Sequence, residues 1–308
     1  MRIVILDAAT FGETDLSGFD ALGEVEVYQT TSADETLERV KDAEVVVTNK
    51  VVIDAAVMDA SNRLKLVCVA ATGTNNVDLV HAAQKEIAVK NVAGYSTDSV
   101  VQHTFSMLFY LMGHSRYYDE YVKSGEWQKS AVFTHVAKPF FELKGKKWGI
   151  IGLGEIGCGV AKIASAFGAE VVYYSTSGKN NNSDYEQISF TKLLETCDII
   201  TIHAPLNTQT KNLIGHSEFL MLKDGAVLLN LGRGGIVTES ALAAIIDVKE
   251  IYVGLDVLEN EPMTNPHPLM NIQHQERLYI TPHIAWTSVE AREKLIASVI
   301  ENIESTFK

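Results

Sequence analysis

The sequence is short of cysteine and of long apolar runs. Its 308 residues include only three cysteines, Cys68, Cys158 and Cys197, which stand in apolar or helical segments without metal-site spacing. This pattern argues against disulfides and a zinc site, and it predicts small buried side chains in a reducing compartment. No apolar stretch is long enough for a membrane span, and the opening MRIVILD is typical of a strand rather than a signal peptide. A cytoplasmic location is therefore expected.

Positive charge is also scarce. The chain has 26 basic and 39 acidic residues, a net charge of −13, and no basic block. An acidic chain of this kind is not expected to bind nucleic acid or an anionic membrane surface. With 46% hydrophobic and 21% charged residues it is long enough to bury two cores. We expect two globular domains that act on a small molecule.

A glycine motif near the middle of the chain is the most informative pattern. A strand ending at Ile151 leads into Gly152-Leu-Gly154-Glu-Ile-Gly157 and then into a helical stretch that stops at Gly168. In this context Gly152 permits a tight turn, Gly154 lets a pyrophosphate approach the backbone, and Gly157 lets the helix pack on the strand. The strand and helix on either side favour dinucleotide binding over an ordinary glycine turn.

The next strand, 171–174, ends without the acidic residue that would hold the adenosine ribose of NAD. Ser175, Ser177 and Lys179 stand there instead and offer hydroxyls and a cation to an extra phosphate, although no arginine fork is present. The polar run 179–184 is also typical of a solvated loop. The choice between NAD and NADP stays open.

Short β-branched runs alternate with helical segments along the whole chain, as in parallel α/β sheets. We expect strands at 2–6, 25–28, 44–48, 66–70, 87–89, 148–151, 171–174, 199–203, 227–231, 253–257 and 278–281. Because the glycine motif lies mid-chain, the fold class is predicted as two doubly wound parallel-sheet domains. A Rossmann dinucleotide-binding domain, 99–286, would be inserted into a flavodoxin-like substrate-binding domain made of 1–98 and 287–308.

Two helical segments bear on assembly. The stretch from about Asp98 to Lys123 is apolar on more than one helical face between Val100 and Met112, which predicts cover from several sides. We interpret it as the link between domains and a homodimer interface; the alternative is a helix within one core. The last segment opens with a capping-box pattern at 287–290 and could return to the first domain. Its apolar face is predicted to carry Val289, Leu295, Val299 and Ile303.

Three ionisable residues follow predicted strands, where open α/β sheets bind ligands. Arg233 ends LLNLGRGG, Glu261 follows GLDVLEN, and His283 follows Thr281-Pro282. Each alone is easily a surface or capping residue. Together they match the needs of a 2-hydroxy acid: a cation for the carboxylate, a base for the hydroxyl proton, and a hydride acceptor beside the carbon.

In combination these motifs resemble the D-isomer-specific 2-hydroxyacid dehydrogenase family over nearly the whole chain. The shared segments are GLGEIG, the run from His203 to Leu206 with Thr210, NLGRGG, GLDV with Glu261-Pro262, and PHI at 282–284. Segments 70–78 and 95–104 are most similar to glycerate dehydrogenases, also called hydroxypyruvate reductases. Family members often carry an acidic residue at position 175 and a glutamate at 102, where this chain has Ser175 and Gln102.

The resemblance implies roles for these residues. His283 would be the acid/base, Glu261 its partner, and Arg233 the anchor of the substrate; Asp256 would hold the nicotinamide amide. Substrate contacts are expected from the loop Ala71, Thr72, Gly73 and Thr74, whose N–H groups would form a small anion nest, from Arg233, and from Trp286. Coenzyme contacts are expected from Gly152, Gly154, Glu155, Ile156, Gly157, Ser175, His203, Ala204, Pro205, Thr210, Leu231, Gly232 and Asp256.

The expected reaction is hydride transfer between NAD(P)H and a small 2-oxo acid, with hydroxypyruvate or glyoxylate as the preferred substrate. Trp286 would limit the pocket if it points inward, although interface or core packing explains a tryptophan equally well. The alternatives are a dehydrogenase for another acid, such as D-lactate or formate, and a nucleotide-sensing binding protein on the same fold.

Overall fold

The computed structural model describes all 308 residues, which form two compact units. Unit 1 consists of Met1–Ser96 and Trp286–Lys308, and unit 2 is Thr97–Ala285. The observed bounds of unit 2 lie within two residues of the expected 99–286.

Twelve strands and ten α-helices make up the two units. The strands are β1 Arg2–Ile5, β2 Glu24–Val27, β3 Val45–Thr48, β4 Leu66–Val69, β5 Ala88–Asn91, β6 Lys147–Ile151, β7 Glu170–Tyr174, β8 Glu186–Gln187, β9 Ile199–Ile202, β10 Ala226–Asn230, β11 Ile251–Leu255 and β12 Leu278–Ile280. The helices are α1 Ala33–Val40, α2 Ala55–Asp59, α3 Leu79–Gln84, α4 Thr97–Met112, α5 Ser115–Lys123, α6 Glu155–Ala166, α7 Phe190–Thr196, α8 His216–Met221, α9 Glu239–Ile245 and α10 Val289–Phe307.

Unit 1 is built on a parallel sheet in the order β2-β1-β3-β4-β5. This is the flavodoxin-like order that the sequence predicted. Its central strands, VVVT in β3 and LVCV in β4, are buried at every position, as expected for strands covered by helices on both faces. The terminal helix α10 belongs to this unit and packs on the same core as β1, β3 and β4 through Leu295, Val299 and Ile303.

Unit 2 is built on a seven-stranded parallel sheet in the order β12-β11-β10-β9-β6-β7-β8. Counted from β6, this is the doubly wound Rossmann order with a seventh strand added at one edge, so the predicted fold class is confirmed. The two-residue edge strand β8 was missed because its residues, Glu186 and Gln187, are exposed and show no apolar alternation.

The segment 98–123 forms two helices instead of one. Its first helix ends at Met112, and His114 adopts a left-handed conformation with φ of 47° before α5 begins. In α4, seven residues are buried. The six apolar ones, which include Phe105 and Leu108, join a core formed by unit 2 itself. The predicted need for cover by a second subunit is therefore wrong for this helix, since its own unit supplies the cover.

Smaller expectations at helix ends also need correction. The N-cap of α10 is Ser288, whose Oγ accepts from the Ala291 N–H at 3.2 Å, rather than Thr287. Val289 is 56% exposed, so the buried stripe begins at Ala291. The helix α6 buries Val160, Ala161 and Ala164, and Phe167, which follows it, is 47% exposed.

All three cysteine thiols are free, and two behave as predicted. Cys68 and Cys197 are buried, and burial raises their pKa to about 12 and about 11. Cys158 is only half-buried.

No helix combines the length and the apolar character that a membrane crossing requires.

Candidate active site

The predicted site residues of unit 2 lie at one edge of its sheet. The strand pairing places Ile151, Ile202, Asn230, Leu255 and Ile280 opposite one another across five adjacent strands. These are the final residues of β6, β9, β10, β11 and β12. Because all the strands are parallel, the loops that follow them emerge along the same edge, where ligands bind in open α/β sheets.

The glycine turn between β6 and α6 has the shape that a dinucleotide requires. Gly152 has a φ of 91°, and a Cβ at Gly157 would lie 2.4 Å from the Gly152 carbonyl oxygen. Both glycines are therefore needed for the turn and for close helix packing. A Cβ at Gly154 would meet nothing within 4 Å, so the space in front of the first turn of α6 is open, and N–H groups and the positive end of the helix face it.

His203 lies directly after β9, the neighbour of β6, and supports the same interpretation. Neither ring nitrogen has a hydrogen-bond partner in the protein, although both are buried. Burial lowers the pKa of His203 to about 3, which keeps the imidazole neutral. Such orphaned polar atoms in a native structure call for a partner, and a bound dinucleotide at the glycine turn fits this need.

The loops next to His203 are tightly joined. A Cβ at Gly152 would lie 3.0 Å from Ala204 Cα, and a Cβ at Gly232 would lie 2.7 Å from the Ala204 carbonyl oxygen. Thr210 is fully buried, and its hydroxyl donates to the Pro205 carbonyl at 2.7 Å. Its side chain shapes the loop that begins at His203, and its predicted contact with coenzyme stays a prediction.

The loop after β7 also differs from a free solvated segment. Ser175 is 5% exposed, and its Oγ accepts from the Asn180 N–H at 3.3 Å. The Asn180 side chain donates to the Leu153 carbonyl of the glycine turn. This loop therefore folds back onto the turn, with Lys179 exposed beside it. Glu155 and Ile156 open α6 next to the same turn.

Arg233 lies in a glycine loop after β10. Its backbone is held by Asn230, whose Nδ2 donates to the Arg233 carbonyl at 2.9 Å and whose Oδ1 accepts from the Gly232 N–H at 3.1 Å. A Cβ at Gly234 would lie 1.7 Å from the Leu258 carbonyl oxygen. Only glycine allows this approach, so the arginine loop rests directly on the loop that carries Glu261. Leu231, which precedes the glycine loop, is buried.

Glu261 and His283 form a direct pair, as predicted from their positions after neighbouring strands. The distance from His283 Nδ1 to Glu261 Oε2 is 2.7 Å. The other carboxylate oxygen, Oε1, accepts from the Leu258 N–H at 3.0 Å. The carboxylate thus orients the imidazole by its Nδ1 side and leaves Nε2 for a ligand. Both side chains are partly exposed, at 22% and 32%.

Asp256 lies directly after β11 and organises the loop of His283. It is 2% exposed. Its Oδ1 accepts from the Thr281 hydroxyl at 2.6 Å and from the Ile284 N–H at 2.9 Å, and its Oδ2 accepts from the Ala285 N–H at 3.0 Å. Its predicted contact with the nicotinamide amide stays a prediction, and the hydrogen bonds seen here are made within the protein. They fix the backbone on both sides of His283, which has a φ of 55°.

The sequence interpretation missed the residues that surround this carboxylate. His103 of α4 lies with Nε2 3.2 Å from Thr281 Oγ1 and 3.6 Å from Asp256 Oδ1. Ser99, one turn earlier, donates to the Ala285 carbonyl at 2.6 Å. The available signal was a serine and a histidine four residues apart, and therefore on one face of the helix.

A second missed pair supports the loop that carries Glu261. His267 Nε2 and Glu239 Oε2 are 2.9 Å apart, and both side chains are buried. The other oxygen of Glu239 accepts from the Glu259 N–H at 2.6 Å. The loop is therefore tied to the start of α9 on either side of Glu261. No group of three or more His, Cys, Asp or Glu side chains in the chain has the arrangement of a metal site.

The remaining predicted residues belong to unit 1. The loop Ala71–Thr74 follows β4, and its carbonyl groups are engaged: Ala71 accepts from the Val92 N–H and Thr72 from the Asn91 side chain. The anion nest of N–H groups predicted for this loop stays a prediction. Trp286 is partly buried against the core of unit 1 and meets Tyr95 edge to face, with 6.2 Å between ring centroids. This favours packing as its main role.

Comparison with known proteins agrees with this geometry. A family model described as "D-isomer specific 2-hydroxyacid dehydrogenase, NAD binding domain" matches residues 105–285. The chain is 34% identical to a hydroxypyruvate reductase of Blautia hydrogenotrophica, covering 100% of this chain and 97% of the relative. It is 34% identical to a glycerate dehydrogenase of Methylorubrum extorquens, covering 99% and 95%. Among solved structures, an acyclic imino acid reductase (Bsp5) in complex with NADPH and D-Arg is similar with a TM-score of 0.86 and 30% identity, covering 100% and 97%.

The parallel sheet, the glycine turn and the histidine–glutamate pair define an oxidoreductase that uses a nicotinamide dinucleotide. The chain belongs to the D-isomer-specific 2-hydroxyacid dehydrogenase family, as its motifs predicted. It is an enzyme of the class that interconverts 2-oxo acids and D-2-hydroxy acids.

Proposed function

We propose that this enzyme reduces hydroxypyruvate and glyoxylate to D-glycerate and glycolate. The observation that carries the proposal is the 2.7 Å contact between His283 and Glu261, beside the glycine loop of Arg233. Two relatives, each 34% identical over nearly the full chain, are named hydroxypyruvate reductase and glycerate dehydrogenase, which supports the choice of substrate.

In the proposed mechanism His283 is the general acid. Glu261 accepts a hydrogen bond from Nδ1–H and orients the protonated imidazole, so that Nε2–H donates its proton to the substrate carbonyl oxygen during reduction. Arg233 holds the substrate carboxylate and stabilises the negative charge that develops on the carbonyl oxygen. When bound, the nicotinamide coenzyme supplies the hydride.

Unit 1 would act as the substrate-binding domain and unit 2 as the dinucleotide-binding domain. In this proposal the N–H groups of Ala71–Thr74 bind the substrate carboxylate as an anion nest. The partly buried ring of Trp286 belongs to the same unit and would narrow the pocket, which favours an acid with two or three carbon atoms.

A substrate panel tests the proposal. Oxidation of NADH and NADPH is followed with hydroxypyruvate, glyoxylate, pyruvate and a branched 2-oxo acid, using the enzyme and His283→Ala. We expect the highest kcat/KM with hydroxypyruvate or glyoxylate, and a loss of about 10²- to 10⁴-fold in kcat for the variant. Preference for pyruvate would contradict the substrate assignment, and normal turnover by His283→Ala would contradict the acid/base assignment.

We also propose that the coenzyme site accepts NADPH as well as NADH. The support is the loop 175–180, which has no carboxylate at the end of β7 and places hydroxyls and the exposed Lys179 beside the turn. A carboxylate there would repel the extra phosphate of NADP. Ser175→Asp should therefore raise KM for NADPH much more than for NADH; equal changes for the two coenzymes would remove Ser175 from the specificity site.

We further propose a homodimer, on grounds that differ from the sequence argument. The surface formed by α5 and residues 127–141 exposes large apolar side chains, including Phe133 at 89% and Phe140 at 66%. Patches of this kind mark association sites. A dimeric mass in solution at micromolar concentration is expected, and Phe133→Asp should shift it towards the monomer. A monomeric mass for the unmodified chain would contradict the proposal.

A cytoplasmic location also stays a prediction, and the three free thiols are consistent with it.

A further inference from the structure

One face of α4 runs along β12 and the loop that follows it. Ser99 Oγ donates to the Ala285 carbonyl at 2.6 Å, and His103 Nε2 lies 3.2 Å from Thr281 Oγ1. Further along the helix, Tyr110 stacks on Tyr279 of β12 with 4.0 Å between ring centroids. The three helix residues are spaced by four and by seven, so they share one face. The helix therefore contacts β12 and both ends of the loop that carries His283.

The hydrogen bonds at His103 have a defined direction. An ionised carboxylate only accepts, so the single hydroxyl proton of Thr281 is donated to Asp256 Oδ1 at 2.6 Å. The Thr281 oxygen must then accept from His103 Nε2–H. Burial lowers the pKa of His103, while Asp256 opposes this effect. The ring is therefore neutral near pH 7 and carries its proton on Nε2.

The hydrogen bonds from His103 to Thr281 and from Thr281 to Asp256 form a His103–Thr281 relay. The loop that this relay holds has an unfavourable backbone. His283 adopts a φ of 55°, a left-handed conformation that a residue with a side chain rarely occupies. Such a conformation persists only where its surroundings hold it. Asp256 holds the loop after His283 through the N–H groups of Ile284 and Ala285, and the His103–Thr281 relay holds it before His283.

We propose that His103 is a positioning residue for the reduction, acting through Thr281 and Asp256 to hold the loop that directs His283 at the substrate. This inference rests on the proposed role of His283 as the acid. His103 itself is not expected to contact the substrate, because its donor is used within the protein.

The relay is tested with three variants of α4. His103→Leu removes the donor, His103→Gln keeps an N–H near the position of Nε2, and Thr104→Val is the matched control. Thr104 is the adjacent buried residue, and its hydroxyl donates to Val100 within the helix at 2.8 Å. We expect His103→Leu to lower kcat by about 10- to 100-fold, the loss produced by a displacement near 1 Å. KM for hydroxypyruvate and the coenzyme Kd should change by less than about twofold, since binding and turnover are separable.

Recovery decides between positioning and general stability. His103→Gln should regain most of the lost kcat, and Thr104→Val should keep the parent kcat. A His103→Leu variant with kcat near that of the parent would overturn the proposal. Equal losses in the leucine and glutamine variants would overturn it as well, because the N–H would then be irrelevant.

Thr281 gives an independent readout of the same path. Thr281→Val should lower kcat as His103→Leu does, Thr281→Ser should keep it, and the double variant should lose no more than the larger single loss. If His103→Leu does not fold, the valine and serine variants decide the question by the same criteria; multiplicative losses would contradict a shared path. His283→Ala serves as the reference: normal turnover there removes the proposed function, whereas its loss beside a normal His103→Leu removes only this inference.

Discussion

In each unit a buried aspartate that follows one strand accepts from the N–H groups that follow the neighbouring strand. Only in unit 2 does the loop held in this way carry an ionisable residue with a left-handed backbone, His283. In unit 1, Asp7 follows β1 and accepts from the Asn49, Lys50 and Val51 N–H groups after the neighbouring strand β3, at 2.7–3.3 Å. In unit 2, Asp256 follows β11 and accepts from the Ile284 and Ala285 N–H groups after the neighbouring strand β12. Each carboxylate also lies near the hydroxyl of a threonine at the end of the neighbouring strand.

The difference lies in what surrounds each carboxylate. Asp7 organises a loop whose donors come from the end of β3 and from the residues that follow it. Asp256 is joined by His103 from a helix, and its loop carries His283. A buried carboxylate by itself builds a stable loop. The added His103 and the left-handed His283 indicate a loop that is held in a strained conformation for catalysis, because a strained backbone persists only where its surroundings support it.

The largest effect that would break this comparison is expected at Asp256. In Asp256→Ala the Thr281 hydroxyl and two N–H groups lose their acceptor, so the loop of His283 is released. We expect kcat with hydroxypyruvate to fall by about a hundredfold, measured by steady-state kinetics. Asp7→Ala is the matched control for removing a buried carboxylate, and its kcat should fall much less. Similar losses in both would show that the two loops are equally involved in turnover.

A smaller loss of activity is expected from the contact between the arginine and glutamate loops. In Gly234→Ala the new Cβ would overlap the Leu258 carbonyl, which lies 1.7 Å from its position. We expect the Arg233 and Glu261 loops to separate and kcat/KM to fall by about tenfold. Gly18→Ala in unit 1 is the control, because its Cβ would meet only the movable end of the Ile300 side chain at 2.7 Å. Unchanged kinetics in Gly234→Ala would mean that the loops need not touch.

The free energy of unfolding should depend strongly on the carboxylate of unit 1, Asp7, although turnover does not. Asp7→Ala leaves the buried Asn49 N–H and the partly buried N–H groups of Lys50 and Val51 without their acceptor, which costs about 2–4 kcal/mol in the free energy of unfolding. Denaturant titration of the coenzyme-free protein, followed by a signal from unit 1, measures this loss. A midpoint equal to that of the parent would indicate that water replaces the carboxylate without cost.

The smallest effect concerns pH. The two histidines whose pKa burial lowers, His103 and His203, both lie in unit 2, and for His203 the value is about 3 against 6.5. Since the unfolded chain binds these protons more readily, the stabilisation is complete above pH 6.5 and is lost as pH falls below it. Unfolding free energy should therefore decrease from pH 6.5 towards 5, and less steeply in His203→Asn. Equal slopes for variant and parent would contradict the role of His203.

Much of the site could be predicted because its functional residues lie in short sequence motifs. The glycine turn needs Gly152 and Gly157 at fixed spacing, and Arg233, Glu261 and His283 each follow a β-branched run. In a parallel sheet, residues after neighbouring strands must meet at one edge. Asp256 shows the limit of this reasoning, because no local pattern indicated that its carboxylate also accepts from the N–H groups of Ile284 and Ala285.

The sequence by itself determined the two parallel sheets, the coenzyme turn and the pairing of His283 with Glu261, since strand runs and glycine spacing are local properties. Only the tertiary structure decided that the segment 98–123 breaks at His114, that α4 is covered within its own unit, and that His103 reaches Thr281, 178 residues away. Such contacts depend on how a helix packs against a sheet. No local pattern specifies which polar side chain of a buried helix meets which loop.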